Sequence, residues 1–133
     1  MANGEPERER SDADPSMSFL PVTLKLEGRE CLVVGGGDAA AHKVSLLLGA
    51  GGRVRVVSTE LCTELRLLLE AGRIGQVARP FRPEDLVGCA LVIAATDDEA
   101  LRRQVSELAR ARCLPVNVVD SPELSSFVMP SLL

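Results

Sequence analysis

Cys31-Leu32-Val33-Val34-Gly35-Gly36-Gly37-Asp38-Ala39-Ala40-Ala41-His42-Lys43-Val44-Ser45-Leu46-Leu47-Leu48-Gly49-Ala50-Gly51 is the stretch from which the rest of the chain reads outward. An apolar run ends at Val34, three glycines follow, and an Ala-rich segment then places Ala40, Val44 and Leu47 at helical spacing. The order is strand, tight turn, helix. Gly35, Gly37 and Ala40 fit the G-x-G-x-x-G/A pattern of a dinucleotide-binding turn. Gly35 permits the sharp turn, Gly37 presents no Cβ to a pyrophosphate, and Ala40 lets the helix pack close to the strand. The helix N-terminus offers unpaired N–H groups and a positive dipole end to a phosphate. The cofactor-holding candidates are therefore Gly35, Gly36, Gly37, Asp38 and Ala39.

Composition bounds the rest. The chain has 133 residues, 46% of them hydrophobic, which suits one globular domain with a real core. With three Phe and no Trp or Tyr, it lacks the aromatic rings on which single-stranded nucleic acid stacks. A formal charge of −4 provides no global field for nucleic acid or an anionic membrane. No apolar run approaches the ~18 residues of a membrane span, and no basic-then-apolar leader opens the chain, so a cytoplasmic protein is expected. Cys31, Cys62, Cys89 and Cys113 are scattered, without a C-x-x-C, and His42 is the lone imidazole. They read as reduced thiols and predict no metal site.

Met1 to Met17 is almost devoid of apolar residues and reads as a disordered tail. The domain would span 18–133. Val22, Leu24 and Leu26 alternate with Thr23 and Lys25, predicting a strand, and Glu27-Gly28 offers a turn for a hairpin onto Cys31–Val34. After the first helix, Gly49 and Gly51-Gly52 supply a stop. Arg53 to Val57 reads as the second strand. Ser58 or Thr59 is then an N-cap for a helix with Leu61, Leu65, Leu68 and Leu69 on one face. Ile74 to Ala78 predicts a third strand, Pro83-Glu84-Asp85 a short helical turn, and Ala90 to Ala94 a buried parallel strand. Thr96-Asp97-Asp98 caps a helix over 99–112 whose Leu101, Val105 and Leu108 face inward, while Arg102, Arg103, Glu107 and Arg110 face water. Val116 to Val119 is the fifth strand and delivers Asp120 at its C-terminal end. Strands alternating with helices predict a Rossmann-like α/β domain with a mainly parallel sheet.

In such sheets ligands bind outside the carboxyl ends of the strands. Gly35-Gly36-Gly37, the Thr96–Asp98 segment, and Asn117 with Asp120 should converge there. After the second strand, either Ser58 meets the cofactor ribose or Glu60 turns back to it. No Arg follows closely to hold a 2′-phosphate, which favours NAD over NADP. Thr59 reads as a cap, and Thr96 and Asp97 are caps or cofactor contacts. Asp120 is either a general base, if burial raises its pKa, or a turn residue before Pro122. His42 and Lys43 read as surface residues.

Phe19-Leu20-Pro21, Val33 to Ala40, Lys43, Arg79-Pro80-Phe81, Ile93 to Asp98, Asn117-Val118-Val119-Asp120 and Ser126-Phe127-Val128-Met129-Pro130-Ser131 together resemble the N-terminal domain of siroheme synthase. The resemblance covers about Phe19 to Leu133. It implies an NAD-dependent precorrin-2 dehydrogenase, which removes two hydrogens from an anionic tetrapyrrole to give sirohydrochlorin. Several family members also carry ferrochelatase activity. Gly35, Gly37 and Thr96–Asp98 would hold the cofactor, and Asp120 matches the family's proposed catalytic carboxylate. It also implies a homodimer, formed by a region beyond Pro-Ser that this sequence does not include. Phe127 to Leu133 would then end as an apolar half-strand without its partner. A non-catalytic NAD-binding module and an inactive fragment are the competing readings, and Asp120 separates the first of these from the enzyme.

Overall fold

The computed structural model describes residues 18–129. The two ends, with the expected tail over 1–17 and the last residues 130–133, lie outside the described residues. Parallel strands β1 (Glu30–Val34), β2 (Arg53–Val57), β3 (Gly75–Val77), β4 (Leu91–Ala94) and β5 (Val116–Val118) form a sheet in the order β3-β2-β1-β4-β5. All neighbours pair in parallel. Helices α1 (Asp38–Gly49), α2 (Thr63–Glu70) and α3 (Glu99–Ala111) supply the crossovers, and short 3-10 turns occupy Pro83–Leu86 and Pro122–Leu124. This is the Rossmann-like α/β arrangement expected from the alternating pattern.

Strand β1 lies at the centre and is buried on both faces. Cys31 and Val33 join Ala40, Ala41, Val44 and Leu47 of α1 and Leu65 of α2 in one apolar cluster. Leu32 and Val34 join Val105 and Ala109 of α3 in the other. Continuous apolar strands are what two covered faces require. Burial also pushes the Cys31 thiol up to about 11, so it serves as a small core hydrophobe.

Two expectations need correction. The segment over Val22–Leu26 forms no strand, although its Glu27-Gly28 turn is present. Both edges of β1 are already paired, to β2 and β4, so a hairpin onto it has no free edge. Val22 and Leu24 are accordingly 70% and 51% exposed, and only Leu26 is buried. Second, α2 starts later than its cap candidates: the N-cap is Cys62, with no side-chain hydrogen bond. Ser58 instead folds the preceding turn, its hydroxyl donating to the Glu60 carbonyl at 2.6 Å and accepting from the Glu60 amide at 3.3 Å.

The outer edge of β5 is also covered within the described residues. The Ser125 and Ser126 hydroxyls accept from the Val118 and Val116 amides at 2.8 and 2.9 Å. Phe127 turns back to pack on the α1-side core, rather than extending as a free half-strand. The remainder of that predicted segment, 130–133, lies outside the described residues.

Asp85 anchors the β3–β4 connection. It is 4% exposed and takes a bidentate pair from Arg79 at 3.0 and 2.7 Å, with a third bond from the Arg82 amide at 2.8 Å. The Arg79 bonds, followed by the Arg82 amide, hold its carboxyl below the usual carboxylate range against the opposing effect of burial.

Candidate active site at the carboxyl edge of the sheet

Because β1, β4 and β5 are consecutive in the sheet, the segments leaving them lie side by side. Ladder bonds continue past the strand ends and fix this rim: Gly35 N–H to Val57 O at 3.0 Å, Ala95 N–H to Val34 O at 2.8 Å, and Val119 N–H to Ala94 O at 3.1 Å. A cavity of about 380 Å³ opens there. That volume falls within the ordinary range of small-molecule sites.

The glycine turn forms one wall. Gly35 has φ +127°, in the region that disfavours side chains, and a Cβ there would run into the Ala95 backbone. A Cβ at Gly36 would strike the Glu60 carbonyl and Ser58 Oγ. Gly37 differs from both: it is the N-cap of α1, has φ −96°, makes no side-chain cap, and a Cβ added to it meets no protein atom within 4 Å. The open space in front of Gly37 faces first-turn amides of α1 that have no intrahelical partner, since the first such bond runs from Ala41 N–H to Gly37 O. This is the cradle a pyrophosphate requires, and the residues present fit a dinucleotide.

Asp38 and Ala39 continue that wall, and Ser58 closes its β2 side. Ser58 donates its single proton to Glu60 but keeps a lone pair free to accept from a ribose hydroxyl. Glu60 does not line the cavity.

Thr96 and Asp97 line the β4 side. Capping accounts for Asp98, whose Oδ1 accepts from the Leu101 amide at 3.2 Å, and Thr96 Oγ1 accepts from the Asp98 amide at 3.2 Å. Asp97 is left exposed on the cavity wall. Asp120 stands at the end of β5 with φ +63°, a left-handed conformation that Asp and Asn adopt more readily than most residues. Its side chain lines the cavity but is exposed, so the burial considered for it in the sequence is not what this rim provides.

The structure does not bring Asn117 to the cavity. Val116 and Val118 face the α3-side core, so strand alternation turns Asn117 to the other face, one position short of the rim. There it is buried, its Nδ2 donates to the Phe127 carbonyl at 3.2 Å, and its Oδ1 has no hydrogen-bond partner among the described residues.

Sequence reasoning missed Arg102. Rather than facing water, its side chain is 17% exposed, lines the cavity and donates to the Thr96 carbonyl at 3.1 Å. The available signal was its place in the first turn of α3: helical side chains lean toward the N-terminus, and the N-terminus of α3 is at the rim. Ala95 and Val119, also on the wall, carry no polar signal.

The family model described as "Putative NAD(P)-binding" matches residues 22–131. The chain belongs to this family. It is 54% identical over 117 residues to the siroheme synthase of Thioalkalivibrio sulfidiphilus, covering 88% of this chain and 24% of that protein. The siroheme synthase of Methylobacillus flagellatus is likewise 54% identical over 117 residues, with 88% and 25% covered. The chain thus spans about a quarter of the length of the curated relatives it matches. Among solved structures, that of SirC, precorrin-2 dehydrogenase, aligns with TM-score 0.74 and 26% identity over 85% of this chain and 55% of that one. These similarities bear out the resemblance read from the sequence. The apo structure of Escherichia coli D-lactate dehydrogenase, with TM-score 0.50 and 13% identity over 77% of this chain and 30% of that one, shares the fold.

Proposed function

We propose that the chain is an NAD-dependent precorrin-2 dehydrogenase, acting in the cytoplasm and producing sirohydrochlorin. The observation that carries this reading is the meeting of the Gly35–Gly37 turn, the Thr96–Asp97 segment and Asp120 around one cavity, in a chain half-identical to siroheme synthases. The substrate would lose one hydrogen as hydride and one as a proton. NAD, when bound, supplies the hydride acceptor.

The α1 amides and the open face of Gly37 bind its pyrophosphate, while Gly35 and Gly36 hold the turn that exposes them. Ser58 accepts from the ribose. Among the described residues, no basic side chain stands beside Ser58 on the cavity wall, which supports NAD over its 2′-phosphorylated form. Thr96 and Asp97 flank the reacting end. Asp120 takes the departing proton on a carboxylate oxygen and, being exposed, passes it to solvent.

Anaerobic incubation of precorrin-2 with NAD, alongside a separate NAD titration, tests this. NADH and sirohydrochlorin should appear together in equal amounts. NAD binding without turnover would instead support a non-catalytic cofactor module.

A further inference from the structure

We infer that Arg102 is the residue that anchors a carboxylate of the tetrapyrrole beside Asp120, an inference that rests on the dehydrogenase reading. Among the described residues lining the cavity, Arg102 is the only basic one, against the carboxylates of Asp38, Asp97 and Asp120. Apart from the α1 amides assigned to the pyrophosphate, this guanidinium is the one positive group among the described lining residues that a polyanionic substrate meets.

The side chain is built to receive an anion. Its Nη1 is tied to the Thr96 carbonyl at 3.1 Å and its Nε lies 3.4 Å from Glu99 Oε1. These contacts fix the plane of the fork, and Nη2 has no hydrogen-bond partner among the described residues. The free Nη2 N–H groups on a restrained stem suit carboxylate recognition.

Location separates this role from pyrophosphate binding. The pyrophosphate cradle belongs to α1 at the end of β1, whereas Arg102 belongs to α3, on the other face of the sheet, and is bonded to the segment leaving β4. With β4 lying between β1 and β5, Arg102 reaches the rim between the glycine turn and Asp120. The N-terminus of α3 itself is closed by Asp98, so the guanidinium is the anion receptor on this side.

The test titrates NAD and sirohydrochlorin separately into the wild-type chain, Arg102→Met and Arg102→Lys, with thermal midpoints as a check on folding. Arg102→Met should weaken sirohydrochlorin binding by about ten- to a hundredfold and leave NAD affinity within about twofold. Arg102→Lys should recover part of the loss, because it restores charge without the planar fork. A fall in NAD affinity with sirohydrochlorin binding intact would overturn the assignment in favour of the pyrophosphate. Unchanged binding of both by folded Arg102→Met would reduce Arg102 to a tie between Thr96 and α3. Wild-type protein that binds NAD but not sirohydrochlorin would overturn the dehydrogenase reading itself, and the Arg102 assignment with it.

Discussion

The Cys62 amide donates to the Gly36 carbonyl at 2.8 Å, joining the middle of the glycine turn to the first residue before α2. The turn that exposes the α1 amides is therefore held from the β2 side by the same loop in which Ser58 bonds to Glu60. Glycine turn and second crossover form one packed unit.

This contact separates two glycines that look equivalent in sequence. Gly36→Ala forces a Cβ into the Glu60 carbonyl and should destabilise the fold by about 1–3 kcal/mol, as overpacking does. Gly37→Ala meets no protein atom, so its effect on stability should stay within about 0.5 kcal/mol, while NAD affinity falls about tenfold. Denaturant midpoints with NAD titrations distinguish the two.

Asp85 makes stability depend on acid. Its carboxyl is held below the usual range chiefly by Arg79, so the folded state gains from its ionised form. That contribution is complete above the ordinary carboxylate pKa and is lost as pH falls through the lowered folded value. Asp85→Asn should cost about 2–3 kcal/mol at neutral pH, since Arg79 is partly exposed and the pair is not wholly desolvated. The gap in melting temperature between wild type and variant should begin to narrow as pH falls below the ordinary carboxylate range and close only below the lowered folded value.

Ser125 protects the sheet edge. The buried hydroxyl accepts from the Val118 amide and donates to the Ser121 carbonyl, both at 2.8 Å. Ser125→Ala orphans the Val118 amide, while the Ser121 carbonyl keeps its bond from the Leu124 amide, and should cost about 1–3 kcal/mol. Hydrogen exchange at the Val118 amide should accelerate more than exchange in β1, and aggregation should increase as the edge opens.

Much of the fold is legible in the sequence because it depends on local signals: the β-branched run into three glycines, the leucines of α2 facing one way, and the unbroken Leu91–Ala94 run. Long-range occupancy is not legible in this way. Alternation over Val22–Leu26 satisfies the strand pattern, but nothing in it reveals that both neighbours of β1 are taken. Ser58 resembles a helix cap because serine hydroxyls serve caps and turns alike. At the site, the glycines, Thr96, Asp97 and Asp120 follow from the rule that strand ends converge. Asn117 and Arg102 depart from expectation by one strand position and one helical turn, distances over which side-chain direction decides.

Asp120→Asn tests the account most directly, because Asn tolerates the left-handed backbone at φ +63° and the change removes charge while keeping the turn. Single-turnover oxidation of precorrin-2 with saturating NAD should slow by about 10²–10⁴-fold, with NAD affinity unchanged within about twofold. A variant that turns over at the wild-type rate would contradict the assignment of Asp120 as proton acceptor, and with it the placement of the chemistry at the end of β5.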